Sequence, residues 1–234
     1  MKKKVVVLCM AVSLMLTACG SKEEVQEPLT ESAVETEMEV ESEPVVETGV
    51  EETEEENVSD FTKGKLTENG WESEWLGMRY VPEDGMVMST EEELNEIMGL
   101  SMEMLSEDFN ELQLQYAELH TVYEMMCTAS DNASNINMTL EKLPMQIDID
   151  TYVGLFLAQA GEMSAMSMNV INEGEDVTVA GRDFKKLQCE VEYEGVTLYQ
   201  DYYMAIVEDR AQIIVVSYID EAEAESLVSG FQVY

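Results

Sequence analysis

The clearest indication of the fold lies in residues 184–218, FKKLQCEVEYEGVTLYQDYYMAIVEDRAQIIVVSY. This stretch holds three runs rich in apolar, β-branched and aromatic residues, and acidic turn segments at residues 194–195 and 208–210 separate them. Such runs, bounded by turn residues, are typical of consecutive antiparallel strands. The stretch therefore predicts a three-stranded meander with strands at residues 184–193, 196–207 and 212–218. The last of these is the most apolar and is predicted to be central in the sheet.

Further strands are predicted upstream of the meander. Residues 120–128 and 136–140 flank turn-forming residues at 130–132, which indicates a β-hairpin. Asn137, Thr139 and Glu141 alternate with apolar residues, so the second strand of this hairpin is predicted to be half-buried. A single strand is also predicted at residues 71–81. Two short strands are predicted at residues 168–171 and 177–179, with a turn between them at residues 172–176.

Three helical segments complete the pattern. The first segment covers residues 90–117, and the others cover residues 151–164 and the region from residue 220 onward. Because Gly99 weakens a helix, the first segment is either one long helix or two short ones. Each start has a capping signal, and these are Ser89 with Glu92, either Asp148 or Asp150, and Asp220 with Glu223. Phe231 is assigned to the inner face of the last helix. The order of elements predicts an α+β fold with an antiparallel β-sheet flanked by helices.

The N-terminus has the features of a lipoprotein signal peptide. Three lysines precede a twelve-residue apolar segment at 5–16, which is too short to span a bilayer. Leu16, Thr17 and Ala18 lead into Cys19 as a bacterial lipobox, which predicts cleavage before Cys19 and a diacylglycerol on its thiol. Two acyl chains give lasting attachment. The predicted location is the extracytoplasmic face of the cell membrane.

An acidic tether is predicted after the anchor. Residues 20–60 contain sixteen acidic residues, one lysine and no Phe, Tyr or Trp, a composition that does not form a packed core. The predicted organisation is therefore a signal peptide at 1–18, a lipidated cysteine and disordered tether at 19–60, and one α+β domain at 61–234. The chain's net charge of −38 argues against nucleic acid as a partner.

Several stretches of the predicted domain resemble a group of small acidic lipoproteins from Gram-positive gut anaerobes. These stretches are residues 71–80 (WESEWLGMRY), the turn at 82–85, and residues 89–94, 136–143 and 199–203. The resemblance implies a PsbP-like fold, an α/β/α sandwich in which an antiparallel sheet lies between helices. Proteins of that fold are usually accessory or binding subunits, and the resemblance supplies no catalytic residues.

Aromatic residues are the first candidates for a binding site. Trp71, Trp75, Tyr199 and Tyr203 could form a platform for a sugar or a peptide, because aromatic rings give a large contact area with a polar edge. Strands are rich in aromatic residues for packing reasons alone, and packing is the favoured interpretation.

Other side chains give weaker signals. His120, the only histidine, lacks a nucleophile motif nearby, so a structural role is favoured over acid–base catalysis. Asp148, Asp150 and the acids of residues 173–176 could bind Ca²⁺, but they lack the ligand spacing of an EF-hand. Helix capping and turn formation are the favoured explanation.

Sulfur-containing residues leave two alternatives open. Methionines at 98, 102 and 104 and at 163, 166 and 168 could bind Cu(I), or they could fill the core. Cys127 and Cys189 are either a disulfide or two buried thiols, with the thiols favoured.

The sequence thus predicts a membrane-anchored, non-enzymatic binding or accessory module of the cell envelope. Its predicted partners are the membrane, through the lipid on Cys19, and an envelope protein or ligand. No catalytic residue, metal ligand or cofactor is assigned. The alternative is an extracytoplasmic hydrolase or a methionine-rich, copper-handling protein.

Overall fold

A computed structural model describes residues 60–105, 111–130, 134–160, 167–193 and 196–234. The predicted signal peptide, Cys19 and all of the tether except Asp60 lie outside these residues. In chain order the elements are β1 (Lys65–Thr67), β2 (Gly70–Ser73), β3 (Met78–Tyr80), β4 (Met86–Met88), α1 (Glu91–Leu105), α2 (Glu111–His120), β5 (Thr121–Ala129), β6 (Asn135–Lys142), α3 (Ile149–Ala160), β7 (Ser167–Val179), β8 (Arg182–Tyr193), β9 (Val196–Val207), β10 (Arg210–Tyr218), α4 (Glu221–Ser229) and β11 (Phe231–Val233).

A seven-stranded antiparallel sheet forms the centre of the fold. Its strand order is β4-β5-β6-β10-β9-β8-β7, so β10 occupies the middle position. All nine residues of β10 are buried, including the polar Arg210, Gln212 and Ser217, because both faces of the sheet are covered at this strand. The predicted meander and its central strand are confirmed.

Helices cover one face of this sheet, which we call the helix face. Tyr152 and Phe156 of α3 pack there on Leu187, Tyr202 and Ile213 of the sheet. Ala117 of α2 belongs to the same core. These residues are apolar and recur at helical spacing in α3 and at alternate positions in the strands, so one face of each element is buried.

A second sheet and α4 cover the opposite face, which we call the small-sheet face. The second sheet has the order β1-β2-β3-β11 and packs Trp71, Tyr80 and Phe231 on this face together with Leu227 of α4. The rings of Tyr80 and Phe231 meet edge to face at 4.9 Å. The predicted α+β class, with an antiparallel sheet flanked by helices, is confirmed. None of the described helices is long and apolar enough to cross a membrane.

The predicted first strand is wrong in one respect, since a turn splits it into β2 and β3. Gly77 has a φ of 63°, and its N–H donates to the carbonyl of Glu74 at 3.1 Å. A left-handed residue reverses the chain at this point, and glycine adopts that conformation without strain. The two halves therefore pair with each other as a hairpin.

The first helix begins one residue later than predicted. Thr90 and Glu93 form the capping box, with the Thr90 N–H donating to Glu93 Oε2 at 2.8 Å and the Glu93 N–H donating to Thr90 Oγ1 at 3.3 Å. Ser89 is held instead by its backbone N–H, which donates to the carbonyl of Met126 at 2.9 Å. The region predicted as one long helix or two short ones contains two helices, α1 and α2.

The region of two predicted short strands is one continuous strand, β7. It pairs with β8 along its whole length, and its register shifts between Val170 and Asn172 and between Glu173 and Glu175. The predicted turn residues are accommodated as irregularities in the strand, and Gly174 has a φ of 104°.

The last helix ends before Phe231. Asp220 caps α4, and its carboxylate accepts from the Ala222 N–H at 3.1 Å. The predicted capping box is only half present, because the Glu223 carboxylate accepts from the Ser134 hydroxyl. Gly230 passes so close to Tyr80 that an added Cβ would lie 2.6 Å from the ring. Phe231 then pairs with Tyr80 in β11, so its predicted place on the helix is wrong although its burial is correct.

The predicted hairpin β5–β6 is present, but β6 is not half-buried. Asn137, Thr139 and Glu141 are all buried, on the helix face. The Tyr152 hydroxyl of α3 donates to Glu141 Oε2 at 2.8 Å. The polar side of this strand faces a helix layer and not water, which the alternation of residue types did not reveal.

Cys127 and Cys189 are free, buried thiols. Cys127 belongs to the core on the small-sheet face and Cys189 to the core on the helix face, so the sheet separates them. Burial raises the pKa of Cys127 to about 11 and that of Cys189 to about 12, which keeps both thiols protonated.

Candidate functional site

A cleft of about 460 Å³ opens on the small-sheet face, between strands β7 and β8 and helix α4. It is the candidate functional site, because ligand sites are concave and have apolar walls with a few polar groups. Its lining residues are Glu175, Val177, Thr178, Val179, Ala180, Lys186, Tyr203, Glu225, Val228, Ser229 and Phe231.

The alternation of side chains along β7 determines which of its residues line the cleft. Glu175, Val177 and Val179 occupy alternate positions of β7, where they lie opposite Lys186, Phe184 and Arg182 of β8. Alternate residues of a strand share a face, so the three side chains of β7 point to the same side. In α4, Glu225, Val228 and Ser229 lie at the three- and four-residue spacing of one helical side.

A charged network extends from Lys186, which lines the cleft, to side chains of β8, β9 and β10 that do not line it. The Lys186 Nζ lies 2.8 Å from Asp201 Oδ2 and 5.5 Å from the ring centroid of Tyr203. Asp201 is almost fully buried, and its Oδ1 accepts from the Tyr218 hydroxyl at 2.9 Å. Gln188 donates to the same hydroxyl oxygen at 2.8 Å. We call Lys186, Asp201, Tyr218 and Gln188 the floor network.

Opposing effects set the protonation of Lys186. Burial on its own lowers the pKa of Lys186, but the hydrogen bond and the charge of Asp201 outweigh burial and raise that pKa above its usual value. Burial raises the pKa of Tyr203. Lys186 is therefore an ammonium group that is already paired, and a protonated lysine is not a nucleophile.

Two of the four predicted platform residues lie at or beside the cleft. Tyr203 lines it, and Tyr199, four residues earlier in β9, stacks on Tyr218 with centroids 5.9 Å apart. Trp71, in β2 of the second sheet, is buried in the core on the small-sheet face. Trp75 meets Phe61 edge to face at 5.2 Å. The structure thus separates the tryptophans from the cleft lining, and ligand binding by any of the four stays a prediction.

The other candidate residues have structural contacts. His120 ends α2, where its ring stacks on Tyr116 with centroids 3.8 Å apart and its Nδ1 lies 2.8 Å from the Tyr116 carbonyl oxygen. Asp150 and Asp176 both contact the Lys185 Nζ, at 3.3 and 2.8 Å. Asp148 caps α3 by accepting from the Thr151 N–H at 2.7 Å.

The acidic and sulfur-containing candidates differ in what the structure describes of them. Within the described ranges, no three His, Cys, Asp or Glu side chains come together as a metal site. Met163 and Met166 lie outside those ranges, so the copper alternative is open there. In the core, the Gln212 amide donates to the sulfurs of Met78 and Met138, at 3.4 and 3.0 Å, and this occupies both thioethers with a hydrogen bond.

A second cluster of charged residues was missed in the sequence. Glu124 is buried at the irregularity of β5, where its Oε2 accepts from the Gly64 N–H at 2.8 Å and its Oε1 has no hydrogen-bond partner among the described residues. Burial raises the pKa of Glu124 to about 7. The Arg210 guanidinium lies 3.8 Å from the ring centroid of Phe61 in the same N-terminal segment. A charged residue inside the apolar run 122–127 was the available signal.

Comparisons with known proteins give structural similarities alone. No family model matches the sequence, and no curated protein matches it. Cyanobacterial PsbP (CyanoP) from Synechocystis sp. PCC 6803 has a TM-score of 0.45 and 10% identity over 74% of this chain and 98% of its own. LpqN of Mycobacterium tuberculosis, described as involved in cell envelope biogenesis, has a TM-score of 0.35 and 12% identity over 48% and 78%. Neither similarity carries an argument about function.

Proposed function

We propose that this protein is a membrane-anchored, extracytoplasmic binding or accessory module of the cell envelope, and that the cleft beside α4 is its ligand site. The observation that carries the proposal is the chemistry of the cleft. Its lining combines the apolar side chains of Val177, Val179 and Val228 with polar and acidic ones, and its lysine, Lys186, is neutralised by Asp201. Such a surface suits recognition, because its polar groups are held in place and are not poised to react.

The geometry of the floor network favours binding over bond breaking. A hydrolytic site needs a nucleophile or an activated water beside a general base. The acids that line the cleft, Glu175 and Glu225, are exposed at its rim, and Asp201 below them is already engaged by Lys186 and Tyr218. The cleft therefore has the features of a fixed, shallow recognition surface.

The proposed location rests on the sequence. Leu16, Thr17, Ala18 and Cys19 form the lipobox, and the acidic tether that follows would hold the domain away from the lipid. Both features favour an envelope partner. The resemblance to acidic lipoproteins of Gram-positive gut anaerobes supports the same proposal.

A photocrosslinking experiment on the full-length lipoprotein in its native envelope tests the role of the cleft. Benzoylphenylalanine replaces Ser229, an exposed residue of the cleft lining, or Glu221, an exposed residue of the same helix outside the lining. We expect a defined adduct from position 229 and none from position 221. Equal adducts at both positions, or none at 229, contradict the assignment of the cleft. Release of soluble products from isolated envelope by the purified protein contradicts the non-enzymatic role.

The anchor is tested separately with Cys19→Ala in the full-length chain. Loss of the thiol should leave the precursor unprocessed or release the protein into the medium, because no lipid can be attached. Fractionation followed by mass spectrometry of the N-terminus distinguishes these forms. Mature, lipid-free Cys19→Ala protein in the membrane fraction contradicts the lipoprotein assignment.

A further inference from the structure

The strand beside the cleft, β7, is an edge strand. It is the last strand of the seven-stranded sheet and pairs with β8 on one side. The backbone groups on its other side pair with no strand among the described residues. An edge strand of this kind is a template for an added strand, since it presents a row of free N–H and C=O groups.

One part of β7 is regular enough to accept a strand. The register shifts of β7 end before Glu175, and residues 175–179 pair with β8 in strict one-to-one register as far as Val179. Five residues of extended chain span about 17 Å. The regular part of the edge therefore suits a short extended peptide.

The cleft lies along this same regular part. Glu175, Val177 and Val179 line the cleft, so a strand added to the edge would lie about 4.8 Å from β7 with every second side chain on the side of α4. Peptides that extend a sheet obtain affinity from backbone hydrogen bonds and specificity from alternate side chains. Edge and cleft thus form one continuous surface.

Charge defines the kind of peptide. Glu175 and Glu225 are exposed, line the cleft and form no ion pair with another described residue. The lysine in the floor, Lys186, is taken by Asp201 at 2.8 Å. The cleft is therefore negative at its rim, and the whole chain carries a net charge of −38. Basic side chains complement such a surface and acidic ones are repelled by it.

We propose that β7 binds an extended, basic peptide segment of the envelope partner as an additional β-strand, along residues 175–179. This inference rests on the proposed function and names the chemistry of the ligand. The basic side chains would lie between Glu175 and Glu225, and the peptide backbone would pair with the free edge.

Fluorescence anisotropy with the purified full-length protein tests the proposal. The probe is a labelled seven-residue peptide that alternates lysine and valine, and the control peptide has glutamate in place of lysine. We expect binding of the basic peptide alone. The double variant E175K/E225K should weaken this binding about tenfold or more, whereas E192K/E221K, which changes the charge equally at exposed sites outside the cleft lining, should change it less than about threefold.

Backbone N-methylation of the probe tests strand addition itself. In an added strand, alternate amide groups point toward β7, so methylation of one alternate set should abolish binding and methylation of the other set should leave it intact. Equal effects of the two sets, or equal effects of the two double variants, overturn the proposal.

The crosslinking experiment separates failure of this inference from failure of the proposed function. An adduct at position 229 that persists in E175K/E225K, together with no binding of the basic probe, overturns the basic-strand proposal and leaves the cleft as a ligand site. Loss of the position-229 adduct in E175K/E225K but not in E192K/E221K supports both.

Discussion

The buried carboxyl group of Glu124 should make the stability of this protein rise as the pH falls from 8 to 5. Glu124 is 2% exposed, and its Oε2 is held by the Gly64 N–H at 2.8 Å. Burial raises its pKa to about 7 from the ordinary value of 4.5. Because the folded state binds the proton more tightly than the unfolded state, this group's contribution is fully present below pH 4.5 and is lost as the pH rises through 7.

The size of the effect follows from the two pKa values. A shift of one pKa unit corresponds to about 1.4 kcal/mol, so a folded pKa of about 7 gives a stability difference of about 2 to 3 kcal/mol between pH 5 and pH 8. Glu124→Gln keeps an oxygen acceptor for the Gly64 N–H and removes the ionisation. The variant should therefore lose this part of the pH dependence and gain stability relative to the wild type at pH 8.

Urea denaturation of the full-length chain at pH 5 and pH 8 provides the measurement. The matched control is Glu96→Gln, because Glu96 is exposed and its replacement removes the same charge. The control corrects for the general repulsion among the acidic side chains. If Glu124→Gln and Glu96→Gln show the same change in free energy of unfolding between the two pH values, the reasoning about Glu124 is wrong.

Two further substitutions test the packing beneath the small sheet and the floor network. Gly64→Ala should cost about 1 to 3 kcal/mol in urea denaturation, because a Cβ at that position would lie 2.5 Å from the Trp71 ring, whereas Gly99→Ala in α1, with nothing within 4 Å, should be neutral or stabilising. Asp201→Asn should lower the free energy of unfolding by about 2 kcal/mol and lower the pKa of Lys186, because burial then acts without the carboxylate. The pKa of Lys186 can be followed by NMR of its Cε and Hε resonances. If this pKa is the same in Asp201→Asn and the wild type, Asp201 is not what keeps Lys186 protonated.

The element order could be predicted because each segment has a clear pattern of its own. The meander from Arg182 to Tyr218 has long apolar runs between acidic turns, and its strands were found where expected. Glycine conformations were harder to predict, because the same residue can break a strand, as Gly77 does, or sit within an irregular one, as Gly174 does. Sequence composition does not distinguish the two outcomes.

Burial of the polar side of β6 could not be predicted for a different reason. The alternation of Asn137 and Thr139 with apolar residues shows that the strand has two unlike faces, but it does not show what covers the polar one. In the structure that face lies on the helix side, and the hydroxyl and amide atoms of both side chains are buried without hydrogen-bond partners among the described residues. Tertiary packing decided their environment.

The candidate site depended on strand register, which the sequence does not contain. Lys186 lies opposite Tyr203 and Gln188 lies opposite Asp201, so the Lys186–Asp201 ion pair is a diagonal contact between β8 and β9. A slip of one residue would move Asp201 to the other face relative to Lys186 and break the pair. The same register fixes the charge of the cleft lining, because it pairs Lys186 with Asp201 and leaves Glu175 and Glu225 without an ion pair among the described residues. The proposed preference for basic ligands could therefore be inferred only once the partner of Lys186 was known.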